Sequence, residues 1–149
     1  MSRTTVLIVA CLAALALVTL GASAVLAGGY GNQKVAYHIN SNNFKVIGGA
    51  LRNIQNHINA VGEDKLDIVV VVHSGGHVMF RKGKTTPQIL AKIKSLKKQG
   101  VKFALCANTL RAKKLTLKDM VGITKEEIVP SGVAELGELQ MKGYAYIKP

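Results

Sequence analysis

The chain has 149 residues, a formal net charge of +12, 48% hydrophobic residues, no Trp and two Cys. That length supports one ordinary domain. The apolar fraction excludes intrinsic disorder, and two cysteines exclude both a disulfide-stapled mini-protein and a zinc site built mainly from thiolates. A mean hydropathy of +0.23 beside 19% charged residues is high for a water-exposed domain, and the N-terminus accounts for it.

Arg3 is the only charged residue before Lys34, and residues 6–20 between them form an almost unbroken apolar run. Small residues follow, ending in Ala22-Ser23-Ala24 and Val25-Leu26-Ala27. A basic start, an apolar middle and an A-x-A-like end are the marks of a secretory signal peptide, here residues 1–27, with cleavage after Ala27 preferred over Ala24. The competing reading is an uncleaved membrane anchor, because the run is long enough to span a bilayer. Either way the domain, residues 28–149, is expected to work outside the cytoplasm, in the periplasm. Losing the leader removes one of 20 basic residues, none of the 8 acidic ones, and Cys11, which leaves Cys106 as the domain's single thiol. A lone thiol in an oxidising compartment is either buried and inert or chemically important.

The domain alternates between periods of 2 and 3.6 residues. Residues 34–40 (KVAYHIN) read as a strand, and 44–61 as a helix with Ile47, Leu51, Ile54, Ile58 and Val61 along one face. Residues 66–73 (LDIVVVVH) are a continuous β-branched run, as in a strand covered on both faces. Thr86-Pro87 starts a helix that Gly100 closes, and residues 101–106 (VKFALC) form a third strand. A short helix is expected to follow through Lys114, then capping boxes at Thr116/Asp119 and Thr124/Glu127, the second leading into a short strand at 127–129. Pro130 and Ser131 open a helix carrying Val133, Leu136 and Leu139, Gly143 stops it, and 144–147 are a last strand. The alternation predicts a three-layer α/β sandwich, flavodoxin-like in layout, around a mostly parallel sheet of about five strands. Strand order is not legible from the sequence.

In such a sheet, ligands collect beyond the carboxyl ends of the strands. Three loops qualify: Asn40-Ser41-Asn42-Asn43, His73-Ser74-Gly75-Gly76-His77 and Cys106-Ala107-Asn108-Thr109. Cys106 ends a strand and faces the start of a helix, where backbone N–H groups and the helix dipole favour thiolate, and Lys102, Arg111, Lys113 and Lys114 add positive potential. The competing reading is a small core hydrophobe. His73 and His77 are candidates to polarise the thiolate or, equally, strand-end histidines bonded to backbone. A zinc site of His73, His77 and Cys106 is disfavoured, since glycines separate the histidines and no carboxylate or second cysteine joins them. His57 and His38 read as structural. The first loop resembles a flavin phosphate loop only weakly, few aromatics are available to stack on a flavin, and no G-x-G-x-x-G follows the first strand. No cofactor is expected.

Charge is strongly segregated. Twelve basic residues and no acid lie between Arg81 and Lys118, whereas every acid lies in 63–67 or 119–138. Such a region attracts an anionic small molecule or an acidic partner, or simply solvates a helix face. Nucleic acid is a poor target for an exported chain without stacking platforms.

The segment Val101-Lys-Phe-Ala-Leu-Cys106-Ala-Asn-Thr-Leu-Arg111, preceded by a Val-rich strand ending in His73, resembles the DsrE/DsrF-like family, and residues 129–149 resemble the ending of its exported members. The resemblance spans 34–149. It implies a small α/β fold assembled as a trimer or hexamer. In the sulfur-relay members it also implies a persulfide on the strand-three cysteine, the position of Cys106. His73, Asn108 and Arg111 would then tune or shelter that sulfur, with a donor or acceptor protein as partner. The leader departs from the cytoplasmic relay and puts the relay's partners in question. The alternative is a non-enzymatic homo-oligomeric binding protein whose basic face takes an anion or an acidic partner, with Cys106 as packing.

Overall fold

The computed structural model describes residues 29–149; the proposed signal peptide, residues 1–27, lies outside them. Five strands form one sheet: β1 (Gln33–Ile39), β2 (Leu66–Val72), β3 (Lys102–Cys106), β4 (Ile128–Val129) and β5 (Ala145–Ile147), in the order β4-β3-β2-β1-β5. Every pairing is parallel, so the sheet is wholly rather than mostly parallel. Four α-helices connect them: α1 (Phe44–Val61), α2 (Pro87–Lys98), α3 (Ala107–Ala112) and α4 (Gly132–Met141).

Strand alternation distributes side chains to two faces. On one face Val35, Tyr37 and Ile39 join Ile68, Val70, Val72, Phe103 and Leu105, and α1 and α2 cover them with Ile47, Leu51, Ile54, Ile93 and Leu96. On the other, Ala36, Val69, Val71 and Ala104 pack under Leu136 and Leu139 of α4. These are the three layers that the β-branched run and the helical stripes imply. Burial of each large aliphatic contributes about 1.5–3 kcal/mol.

Local signals set the boundaries. Asn43 caps α1 by accepting from Lys45 N–H at 2.8 Å, and Thr86 caps α2 with Pro87 in its first turn. Both capping boxes form, over short 3₁₀ turns rather than α-helices, and the second does lead into β4. One element escapes the sequence pattern: residues Ser74–Met79 form a 3₁₀ helix, not an open glycine loop. The glycines there serve close approach, since a Cβ on Gly76 would lie 2.3 Å from the Ile39 carbonyl oxygen and one on Gly75 2.8 Å from Asn42 N. The turn after β2 is thereby pressed beneath the end of β1.

Candidate functional site

The order β3-β2-β1-β5 sets the carboxyl ends of these strands side by side. Period-2 alternation then decides which residues share a face. His38 follows Ala36, His73 follows Val71 and Cys106 follows Ala104, each by two residues, so all three fall on the α4 side. Tyr146 pairs in register with Ala36 and completes the row. Across the sheet the sequence of residues is Cys106, His73, His38, Tyr146.

Cys106 is buried, 5% exposed, and lines a cleft of about 370 Å³ shared with His73, Ser74, Asn108, Thr109 and Lys113. Burial pushes the thiol's pKa up. The polar groups around the sulfur, the Gly132 N–H, the Thr109 hydroxyl and the N–H groups of Thr109 and Asn108, outweigh this and hold it below its ordinary value. Donors aimed at a sulfur stabilise the charged form most, so they favour the thiolate. α3 is only six residues long, under two turns, so the individual N–H groups rather than a long helix dipole carry this effect.

Two features aim those donors. Gly132 opens α4, and a Cβ there would lie 3.0 Å from His73 Cβ and 3.2 Å from Cys106 Cβ. Only glycine brings its N–H onto the sulfur without displacing both neighbours. Thr109 accepts from Ser74 N–H at 2.8 Å, which leaves its single hydroxyl hydrogen for Cys106. Ser74 itself sits in the left-handed region, φ 49°, a conformation that costs a non-glycine residue about 1 kcal/mol or more. Its N–H is bound by Thr109, its carbonyl accepts from His77 Nδ1 at 2.6 Å, and its hydroxyl meets His73 Nδ1 at 2.9 Å.

The sequence candidates are thus distributed unequally. Cys106, His73 and Asn108 line one cleft. Arg111 is exposed and donates to the Asn108 side chain. His77 is 4% exposed and is not part of the cleft wall; its Nδ1–H closes the turn on Ser74, and among the described residues its Nε2 meets no hydrogen-bond partner. No group of three His, Cys, Asp or Glu side chains among the described residues is placed to hold a metal. In the Asn40–Asn43 loop the side chains of Ser41 and Asn43 bond backbone N–H groups at the start of α1, and none of the four residues lines the cleft. His57 bonds Tyr37 and Gln33, within the β1–α1 layer.

His38, read from the sequence as structural, instead joins the site: its Nε2 lies 2.6 Å from His73 Nε2 and its Nδ1 2.7 Å from the Tyr146 hydroxyl. Burial, the neighbouring His73 and Lys148 together push the His38 pKa down to about 4. Burial and Lys148 lower that of His73. Both rings are therefore neutral at pH 7. Gly132 and Ser131 also went unnoticed as site residues, because only the pairing of β4 with β3 brings the residues after β4 over Cys106.

This geometry defines an α/β protein with a single cradled thiol at the carboxyl end of its central strands. A model of the DsrE/DsrF-like family matches residues 24–149. The chain belongs to the DsrE/DsrF-like family. Among solved structures, it is similar to a protein of unknown function from Methanobacterium thermoautotrophicum, with 28% identity and a TM-score of 0.69, covering 79% of this chain and all of that one. No curated protein matches the chain.

Proposed function

We propose that the chain is an exported sulfur carrier that holds sulfane sulfur as a persulfide on Cys106. The observation that carries this reading is the placing of Cys106 at the end of β3, in a cleft with His73, Asn108 and Thr109 and hard against Gly132, where polar groups lower the thiol's pKa against the pull of burial. A core hydrophobe has no need of such a cradle. Family membership adds to it, since relay members of this family pass sulfur between partner proteins.

The chemistry needs one thiol. Cys106 thiolate attacks the outer sulfur of a donor persulfide, R–S–SH; the new S–S bond forms as the donor's S–S bond breaks, giving Cys106–S–SH and R–S⁻ with no net oxidation. An acceptor thiolate then attacks the outer sulfur of Cys106 and regenerates the thiolate. Lys113 at the cleft and Arg111 beside Asn108 favour anionic donors such as polysulfide. His73 and Asn108 shelter the bound sulfur. Self-association as a trimer or hexamer, export to the periplasm and a donor or acceptor protein complete the proposal.

Intact-mass spectrometry of the leaderless chain after incubation with polysulfide tests it. One added sulfur, about 32 Da, in the parent chain and none in Cys106→Ser supports a carrier. No adduct on the parent chain, or the same adduct on both, overturns it. The binding-protein alternative draws on the Arg81–Lys118 charge run. It requires salt-sensitive anion binding that survives Cys106→Ser.

A further inference from the structure

The row across the sheet does not stop at Cys106 and His73. Tyr146 Oη, His38, His73 and Ser74 Oγ are joined by consecutive contacts of 2.7, 2.6 and 2.9 Å. One end is open to water, because Tyr146 on the edge strand β5 is 43% exposed. The other end opens on the thiol, because His73 and Ser74 line the Cys106 cleft. We propose that Tyr146, His38, His73 and Ser74 form a proton wire between solvent and the Cys106 cleft, supplying the proton taken up by the thiolate that leaves when Cys106 accepts sulfur. This rests on the reading of Cys106 as the sulfur-carrying thiol.

The hydrogen-bond bookkeeping fixes how the wire works. Two Nε2 atoms at 2.6 Å hold one hydrogen between them, so the chain has only two self-consistent directions. In the delivering direction Tyr146 O–H donates to His38 Nδ1, His38 Nε2–H to His73 Nε2, and His73 Nδ1–H to Ser74 Oγ, leaving the Ser74 hydroxyl hydrogen free for the cleft. When R–S⁻ takes that hydrogen, each member passes one along and Tyr146 refills from water, which reverses every bond in the row. One proton moves from solvent to the leaving thiolate, and nothing is oxidised or reduced. Run backwards, the same wire removes a proton from an incoming thiol.

The charged and titratable groups bearing on the pair are few: His73 and Lys148 on His38, and Lys148 on His73. A fixed positive charge from Lys148 disfavours a second proton on the rings. The pair therefore stays neutral and able to relay in either direction. A purely structural role explains the row less well, because apolar side chains would fill the same space without the cost of burying two imidazoles.

The test compares two reactions of Cys106 that differ in their need for a proton. Sulfur transfer from an alkyl persulfide releases a basic thiolate, whereas alkylation by iodoacetamide releases iodide, which takes up none. Tyr146→Phe and His38→Gln are each expected to slow sulfur loading by about tenfold or more, to leave alkylation within about twofold of the parent chain, and to recover loading rate with added imidazole. Tyr146→Phe is the safer variant for folding, since it removes one oxygen from a side chain on the edge strand that is itself 43% exposed. Equal slowing of both reactions assigns the row to structure and overturns the wire, as does unchanged loading in both variants. A parent chain that takes up no sulfur overturns the carrier reading itself, an outcome separate from either of these.

Discussion

Gly132 and Cys106 lie so close that a Cβ on the glycine would sit 3.2 Å from the cysteine's own Cβ. That approach lets the Gly132 N–H donate to the sulfur, and it ties the start of α4 to the end of β3. Position 132 thus couples packing to reactivity. In Gly132→Ala the added methyl also meets His73 Cβ at 3.0 Å, so α4 must shift. The variant is expected to lose about 1–3 kcal/mol of stability. Its Cys106 thiol should titrate higher than in the parent chain, as read by alkylation rate against pH.

Thr109 serves two partners with one oxygen. Thr109→Val keeps the shape but leaves Ser74 N–H without its 2.8 Å acceptor and Cys106 without one donor. Urea denaturation is expected to show a loss of about 0.5–1.5 kcal/mol, the net worth of the hydrogen bond lost to the exposed Ser74, together with slower alkylation at neutral pH. Thr109→Ser should restore the reactivity.

His38 gives the fold a defined response to acid. Its folded pKa, about 4, lies below the ordinary 6.5, so the folded chain binds the proton less readily than the unfolded one. Its contribution to stability is therefore complete above pH 6.5 and declines as the pH falls towards 4. Denaturant midpoints at pH 7, 5.5 and 4.5 should fall in that order. In His38→Gln the fall should be shallower, and NMR titration of the parent ring should show no protonation at pH 6.

Gly76 tests how the site is assembled. A methyl at that position would lie 2.3 Å from the Ile39 carbonyl oxygen, against backbone that cannot rotate away. Gly76→Ala is expected to cost about 3 kcal/mol or more, readable as a lowered Tm, because the turn carrying His73 and Ser74 must lift off β1.

Most of the scaffold was legible because its signals are local. The β-branched run at Ile68–Val72, the stripe from Ile47 to Val61 and the Thr86-Pro87 cap each declare an element without reference to distant residues. Cys106 was legible as a strand-end thiol for the same reason. The row was not. His38 meets His73 across 35 residues of chain and Tyr146 across 108, and both contacts depend on β1 lying between β2 and β5. A histidine inside a strand, seen alone, reads as core. Gly132 was hidden likewise, since a glycine after Ser131 looks like a helix start until β4 pairs with β3.

The most direct test of the central claim is the rate of iodoacetamide alkylation of Cys106 between pH 5 and pH 10 in folded protein comprising residues 28–149. The cradle of N–H and hydroxyl donors requires an inflection clearly below the ordinary thiol value of 9.0. An inflection at or above 9.0, or alkylation only after denaturation, would contradict a thiolate held ready for sulfur.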